Sequence, residues 1–249
     1  MNLAHQIAVI TGGSSGLGKA CAQKLTALGL QVVIWDKQIE QTDSAHLALA
    51  CDVSSVEEVE RALAQTIAHL GIPHICINCA GIAPGQRMVG KEGAMPLAAF
   101  KQVIDINLVG TFNVMRVLAA AMASLPLETS SEERGVIINT ASIAAFEGQI
   151  GQTAYSASKG GIVAMTLPAA RELAQHAIRV NTIAPGLFAT PLLLNMAQDV
   201  QDALAATVTF PKRLGQPEEF AALVVHLIEN TMINGEVIRL DGALRMQAR

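Results

Sequence analysis

Short runs rich in β-branched residues alternate along this chain with longer stretches of helical period. The runs are IAVIT (7–11), QVVIWD (31–36), LALACDV (47–53), HICINCAG (74–81), GVIINTAS (135–142), IRVNTIAPG (178–186) and EVIRLDG (236–242). Most are nearly continuous in apolar residues, the pattern of strands covered on both faces, and the helical stretches between them make repeated βαβ units. The expected fold is α/β, a single doubly wound domain over 1–249 with a seven-stranded parallel sheet and helices on both of its faces. Helices are signalled at 16–28, ended by Gly29, and at 54–69, opened by Ser54 and Ser55 with Glu57 and Glu58 in the first turn. A third is signalled at 217–230, opened by Pro217 and two glutamates. Pro168 is expected to kink or end a helix that begins near 152. Polar loops are expected at 82–95 and 126–134.

Composition narrows the classes. Hydrophobic residues make up 51% and aromatics 3%, so Ala, Val, Ile and Leu must fill the core. Mean hydropathy is +0.39, yet polar residues interrupt every apolar run before the roughly 18 residues that a bilayer span needs, so no membrane segment is expected. The surplus apolar surface suits a subunit interface. A net charge of −4 and no Lys/Arg cluster argue against nucleic acid as a partner. The first residues show no leader pattern and run into the first strand, which points to a cytoplasmic location. Cys21, Cys51, Cys76 and Cys79 lie in apolar segments and read as buried free thiols. The six histidines form no ligand pair, so no metal is expected.

Chemistry concentrates at strand ends. TGGSSGLGKA (11–20) joins the first strand to the first helix, and Gly12, Gly16 and Gly18 let backbone approach a pyrophosphate at the helix N-terminus. Asp36 closes the second strand, where an acid holds a ribose diol and repels the phosphate of NADP, so NAD is expected. Lys37 beside it is within reach of a phosphate there but reads first as a solvated surface residue. Asp52 and Val53 are placed to border the adenine, with Asp52 equally suited to helix capping. Asn78, Ala80 and Gly81 of NCAG lie at the carboxyl end of the fourth strand. Tyr155, the only tyrosine, and Lys159 stand at i and i+4 on the expected helix. Ser142 ends the preceding strand on the same sheet edge.

Together TGGSSGLG, Asp36, NCAG, Asn107, Ser142, Tyr155 and Lys159 resemble the short-chain dehydrogenase/reductase family over the whole chain. The family's NNAG is NCAG here, with Cys79 in place of the second Asn. The resemblance implies a Rossmann fold and hydride transfer between a nicotinamide and a secondary alcohol or ketone. Ser142, Tyr155, Lys159 and Asn107 would be the catalytic set, with Tyr155 as acid/base, Ser142 holding the substrate oxygen and Asn107 supporting a proton relay. Lys159 would favour the phenolate. The dinucleotide would also touch Ser14, Ser15, Leu17, Tyr155, Lys159, Pro185, Gly186 and Thr190. Three segments (135–174, 178–193 and 234–249) resemble the family's 3-hydroxyacyl-CoA dehydrogenase branch, implying an acyl-CoA substrate. Hydroxysteroid or other alcohol dehydrogenases, an acyl-carrier-protein reductase and a non-catalytic scaffold are the alternatives. Gln149 and Leu192 are weaker substrate candidates. The segment 187–212 reads as a substrate lid or a pair of short surface helices. The family commonly forms homotetramers.

Overall fold

The computed structural model describes residues 5–39, 45–127 and 133–248, except the side chain of Leu192. Its strands are β1 (Ile7–Thr11), β2 (Gln31–Asp36), β3 (Leu47–Ala50), β4 (Ile75–Asn78), β5 (Val89–Gly90), β6 (Gly93–Ala94), β7 (Gly135–Thr140), β8 (Ile178–Pro185) and β9 (Val237–Leu240). Seven form one sheet in the order β3-β2-β1-β4-β7-β8-β9, with every pairing parallel. Strand order reverses between β1 and β4, and crevices for ligands open at the carboxyl ends of strands at such a point.

Alternate side chains of the same strands feed two cores. Ala8, Ile10, Ile34, Ile77 and Ile138 pack with Leu25 and with Phe220 and Leu227, which come from α1 (Gly16–Ala27) and α8 (Pro217–Glu229). Val9, Val33, Trp35, Cys76 and Ile137 pack on the opposite face with Val59, Leu118 and Met122, from α2 (Val56–His69) and α4 (Gly110–Ala123). Val114, Leu118 and Met122 recur every fourth residue, so α4 turns one stripe to the sheet. Each fully buried side chain of this kind contributes about 1.5–3 kcal/mol, and the small number of aromatics is met by β-branched and leucine packing.

The helix starts follow the sequence signals. Ser55 caps α2 by accepting from Glu58 N–H at 3.2 Å, and a reciprocal Gln216–Glu219 capping box opens α8 behind Pro217. Gly29, with φ +84°, closes the turn after α1.

Several boundaries differ from expectation. Pro168 does not end α5 (Thr153–Leu173), which continues through it. Packing of α5 along β8 outweighs the loss of one backbone hydrogen bond. The 82–95 segment is not all loop, because β5 and β6 pair antiparallel across residues 91–92. Of the 126–134 loop, residues 128–132 lie outside the described residues. β3 stops at Ala50, opposite Asp36 where β2 ends. A helix from Leu97 to Ala123 is long and apolar enough to cross a membrane by length and composition. The sequence reading, which treated polar residues as interruptions, missed it; in the fold it is a core helix, more than half buried. It comprises α3 (Leu97–Ile104), a π-helical turn at Asp105–Val109, and α4. The 187–212 segment contains two short helices, α6 (Pro191–Leu194) and α7 (Gln198–Thr207).

Candidate active site

A cavity of about 430 Å³ opens at the carboxyl ends of β1, β2 and β4. Gly12, Ser15, Gly16, Leu17, Gly18, Asp36, Asp52, Val53, Ala80, Gly81 and Thr190, all candidate cofactor contacts, line it. The glycines are required by the backbone. Gly12 has φ +66°, and a Cβ there would stand 2.8 Å from Ala80 N. A Cβ on Gly18 would overlap the Gly12 carbonyl, so the loop lies directly on the first turn of α1. Ser15 takes the N-cap position but makes no side-chain cap bond, which leaves first-turn N–H groups for an anion. The Ser14 hydroxyl is buried with no partner. The cradle thus fits a pyrophosphate.

At the far end of the cavity, Asp36 Oδ2 accepts from Ser14 N–H at 3.0 Å and Oδ1 from Gln38 N–H at 3.2 Å. Each oxygen retains accepting capacity for a ribose hydroxyl. Lys37, 74% exposed, is tied to Asp52 at 2.8 Å. Hydrogen bonds from Lys37, and then from Ser54, hold the Asp52 carboxyl down at about 2.

Asn78, Pro185 and Gly186 do not line this cavity. Asn78 Nδ2 donates to Asn139 Oδ1 at 2.9 Å, and Asn78 Oδ1 accepts from the Thr11 hydroxyl at 3.4 Å, so its side chain ties β4 to β7 and β1. Gly186 is small because Asp241 occupies the place of its Cβ, at 2.8 Å. Trp35, Cys51, Cys79, Ile82 and Ile106 line the cavity without having been singled out from sequence. For all but Ile106, which sits in the turn between α3 and α4, a position at or just after a strand end is the signal that could have found them.

Beyond Gly81 stand the four remaining residues of interest. A Cβ on Gly81 would lie 3.1 Å from Asn107 Oδ1 and 3.7 Å from Lys159 Nζ, so the glycine leaves the space between them open. Asn107 sits in the π-helical turn, a device that recurs at functional sites. Its carboxamide accepts from Ile82 N–H at 2.8 Å and donates to the Ile82 carbonyl at 2.9 Å and to the Ser158 hydroxyl at 3.1 Å. Ser158 in turn donates to the Tyr155 carbonyl at 2.7 Å. Sequence reasoning missed Ser158, although it lies one turn beyond Tyr155.

The Ser142 hydroxyl accepts from Ala144 N–H at 3.1 Å, which fixes its position, and stands beside the Tyr155 phenol, opposing the effect of burial on it. Burial raises the phenol above its ordinary pKa. Lys159 Nζ lies 5.8 Å from the centre of the Tyr155 ring and donates to the Thr140 carbonyl at 2.7 Å. Burial lowers its pKa to about 8. Desolvation is the largest influence on both groups.

Gln149 is joined to Gln152 through its backbone and to the Gln247 carbonyl through its side chain, 3.3 Å away. Its carboxamide therefore anchors the C-terminal segment. The Leu192 side chain lies outside the described residues. α6 and α7 are braced by Gln201, which donates to the carbonyls of Leu194 and Met196 at 3.1 and 2.8 Å.

A family model described as "short chain dehydrogenase" matches residues 6–201. The 3-hydroxyacyl-CoA dehydrogenase type-2 proteins of Bos taurus and Homo sapiens are each 50% identical over 250 residues, covering 97% of this chain and 95% of theirs. A crystal structure titled 3-hydroxyacyl-CoA dehydrogenase type-2, from Mycobacterium avium, superposes with a TM-score of 0.92 at 39% identity and covers 100% of this chain and 98% of its own. With the match running through both the cavity and the Tyr155 helix, this chain belongs to the short-chain dehydrogenases and is an oxidoreductase of CH–OH groups using a nicotinamide cofactor.

Proposed function

We propose that the protein is an NAD-dependent 3-hydroxyacyl-CoA dehydrogenase, interconverting a 3-hydroxyacyl-CoA and its 3-keto form. The observation that carries the reading is the buried Tyr155 phenol with Ser142 beside it, on the sheet edge that also bears the dinucleotide cavity. The choice of acyl-CoA rests on the names of the relatives and on their likeness to this chain over its length.

Ser142 would hold the substrate oxygen beside the phenol, and Tyr155 would take the hydroxyl proton in oxidation and return it in reduction. When bound, the nicotinamide supplies the hydride acceptor or donor at C4 and, when oxidised, a positive charge near the phenol. Lys159, anchored on Thr140, would hold the nicotinamide ribose. Asn107 fixes the Ile82 backbone and Ser158, keeping the proton path beside Tyr155 in shape. Asp36, already aligned by two backbone N–H groups, supports NAD over NADP because a phosphate there would meet its charge. The pairing of Lys37 with Asp52 withholds the nearest cation from such a phosphate.

In the same reading, 187–212 is a lid over the acyl chain, with Leu194 and Met196 exposed on it. The chain assembles as a homotetramer in which the half-buried edge strand β9 and neighbouring Met232, 92% exposed, become covered. Its free cysteines suit the reducing cytoplasm.

The test is a panel of ketones reduced with NADH or NADPH: acetoacetyl-CoA, a 3-ketosteroid, a simple ketone and an acyl-carrier-protein thioester. Acetoacetyl-CoA with NADH is expected to dominate. Turnover of a steroid or simple ketone with no response to acetoacetyl-CoA, or a strong preference for NADPH, would overturn the assignment.

A further inference from the structure

β9 is the edge strand of the sheet, and alternation along it puts Val237 on the face of α5, where it packs with Ala141 and Ile162. Arg239, two residues on, carries its charge along that same face. Its guanidinium meets Glu147 with two bonds of 2.7 Å, one to each carboxylate oxygen, across 92 residues of sequence. A guanidinium forked on a carboxylate fixes direction as well as distance. Arg239 Nε also donates to Asp241 at 2.8 Å and Nη2 to the Leu244 carbonyl at 3.0 Å. The guanidinium carbon stands 5.1 Å from the centre of the Phe146 ring.

One side chain therefore joins the turn at Phe146 and Glu147 to the segment that follows β9. That segment is pinned along the turn elsewhere too. Ile150 N–H donates to the Ala248 carbonyl at 3.0 Å, and the Gln149 carboxamide to the Gln247 carbonyl at 3.3 Å. Leu244 is buried against Ile143 and against Val208, just beyond α7. Arg245 adds ion pairs to Asp241 at 3.2 Å and to Glu147 at 3.5 Å.

The turn held in this way is the stretch between Ser142 and Tyr155, and it touches the neighbour of each. Glu147 N–H donates to the carbonyl of Ile143, next to Ser142, at 3.0 Å. At its other end a Cβ on Gly148 would overlap the hydroxyl of Ser156, next to Tyr155. None of the residues 143–150 or 239–248 lines the dinucleotide cavity.

We propose that Arg239 and Glu147 are positioning residues, whose ion pair clamps the 143–150 turn onto the 241–248 segment and so sets the Ser142 hydroxyl and the Tyr155 phenol for proton transfer. The inference rests on the roles given to Ser142 and Tyr155 and is indifferent to the acyl group. A clamp on the substrate side alone should act on turnover and leave dinucleotide binding as it is.

The test compares variants in steady-state reduction of acetoacetyl-CoA, NADH titration by fluorescence, and hydrogen–deuterium exchange of peptides across 143–152. Arg239→Met should lose at least about tenfold in kcat, the scale of a small misplacement of reacting groups, with NADH affinity unchanged and exchange across 143–152 faster. Arg239→Lys, which keeps the charge but not the fork, should recover part of the loss. Glu133→Gln breaks the buried Arg179–Glu133 pair where β8 begins, at the opposite edge of the sheet; it should lower the unfolding midpoint and leave kcat unchanged. If Arg239→Met does not fold, Glu147→Gln carries the same expectations. Wild-type kcat in these clamp variants, a fall in kcat matched by a fall in NADH affinity, or a Glu133→Gln enzyme equally slowed would overturn the proposal. Should acetoacetyl-CoA not be turned over, the kinetic comparison moves to the ketone that is, and exchange needs no substrate, so failure of the acyl-CoA assignment and failure of the clamp are told apart.

Discussion

Lys159 Nζ donates to the Thr140 carbonyl at 2.7 Å, which anchors the buried ammonium on the last residue of β7 and not on the phenol of Tyr155. The strand thereby sets where the charge stands, and α5 sets where the phenol stands. Their separation depends on how α5 packs against that sheet edge.

The anchored charge has a measurable consequence for stability. Burial lowers the Lys159 pKa from 10.5 to about 8, so the folded state releases a proton that the unfolded chain keeps. Stability contributed by this group therefore rises as pH climbs from about 8 toward 10.5, by about 3 kcal/mol in full. Urea unfolding of wild type and Lys159→Met across pH 7–10 should show wild type gaining on the variant above pH 8. A difference that stays flat with pH would refute the titration.

Asn78 is expected to act on stability. Asn78→Ala removes the donor to Asn139 Oδ1 between buried strands, at a cost of about 1–3 kcal/mol. The unfolding midpoint should fall, while NADH affinity changes less than threefold. Tenfold weaker NADH binding with an unchanged midpoint would place Asn78 at the ligand after all.

Cofactor preference should be adjustable in two steps. Asp36→Ser is expected to weaken NAD binding by about 10- to 100-fold, the value of a charged hydrogen-bond acceptor. Adding Asp52→Asn releases Lys37 from its ion pair and should then improve NADP binding further. Isothermal titration with both cofactors checks this; an NADP affinity indifferent to the second change would show that Lys37 does not reach the phosphate.

The legible parts of the sequence were those where one local cause sufficed. Runs such as GVIINT became a fully buried strand because a short β-branched run suits a sheet covered on both faces. The glycines of the first loop were legible because close backbone approach leaves few alternatives to glycine. The bond between Asn78 and Asn139 was not legible, because it depends on the β4–β7 register that sets the two side by side. The π-helical turn that carries Asn107 was not legible, since local sequence does not distinguish one widened turn from the α-helical turns on either side of it.

The central claim is that Tyr155 is the acid/base for NAD-dependent conversion of a 3-ketoacyl-CoA. The most direct measurement is the rate of NADH oxidation with acetoacetyl-CoA for wild type and Tyr155→Phe, alongside their NADH affinities. Wild type should turn over, and the variant should lose at least about 100-fold in kcat with NADH binding nearly intact. A Tyr155→Phe enzyme that matches wild type would contradict the account.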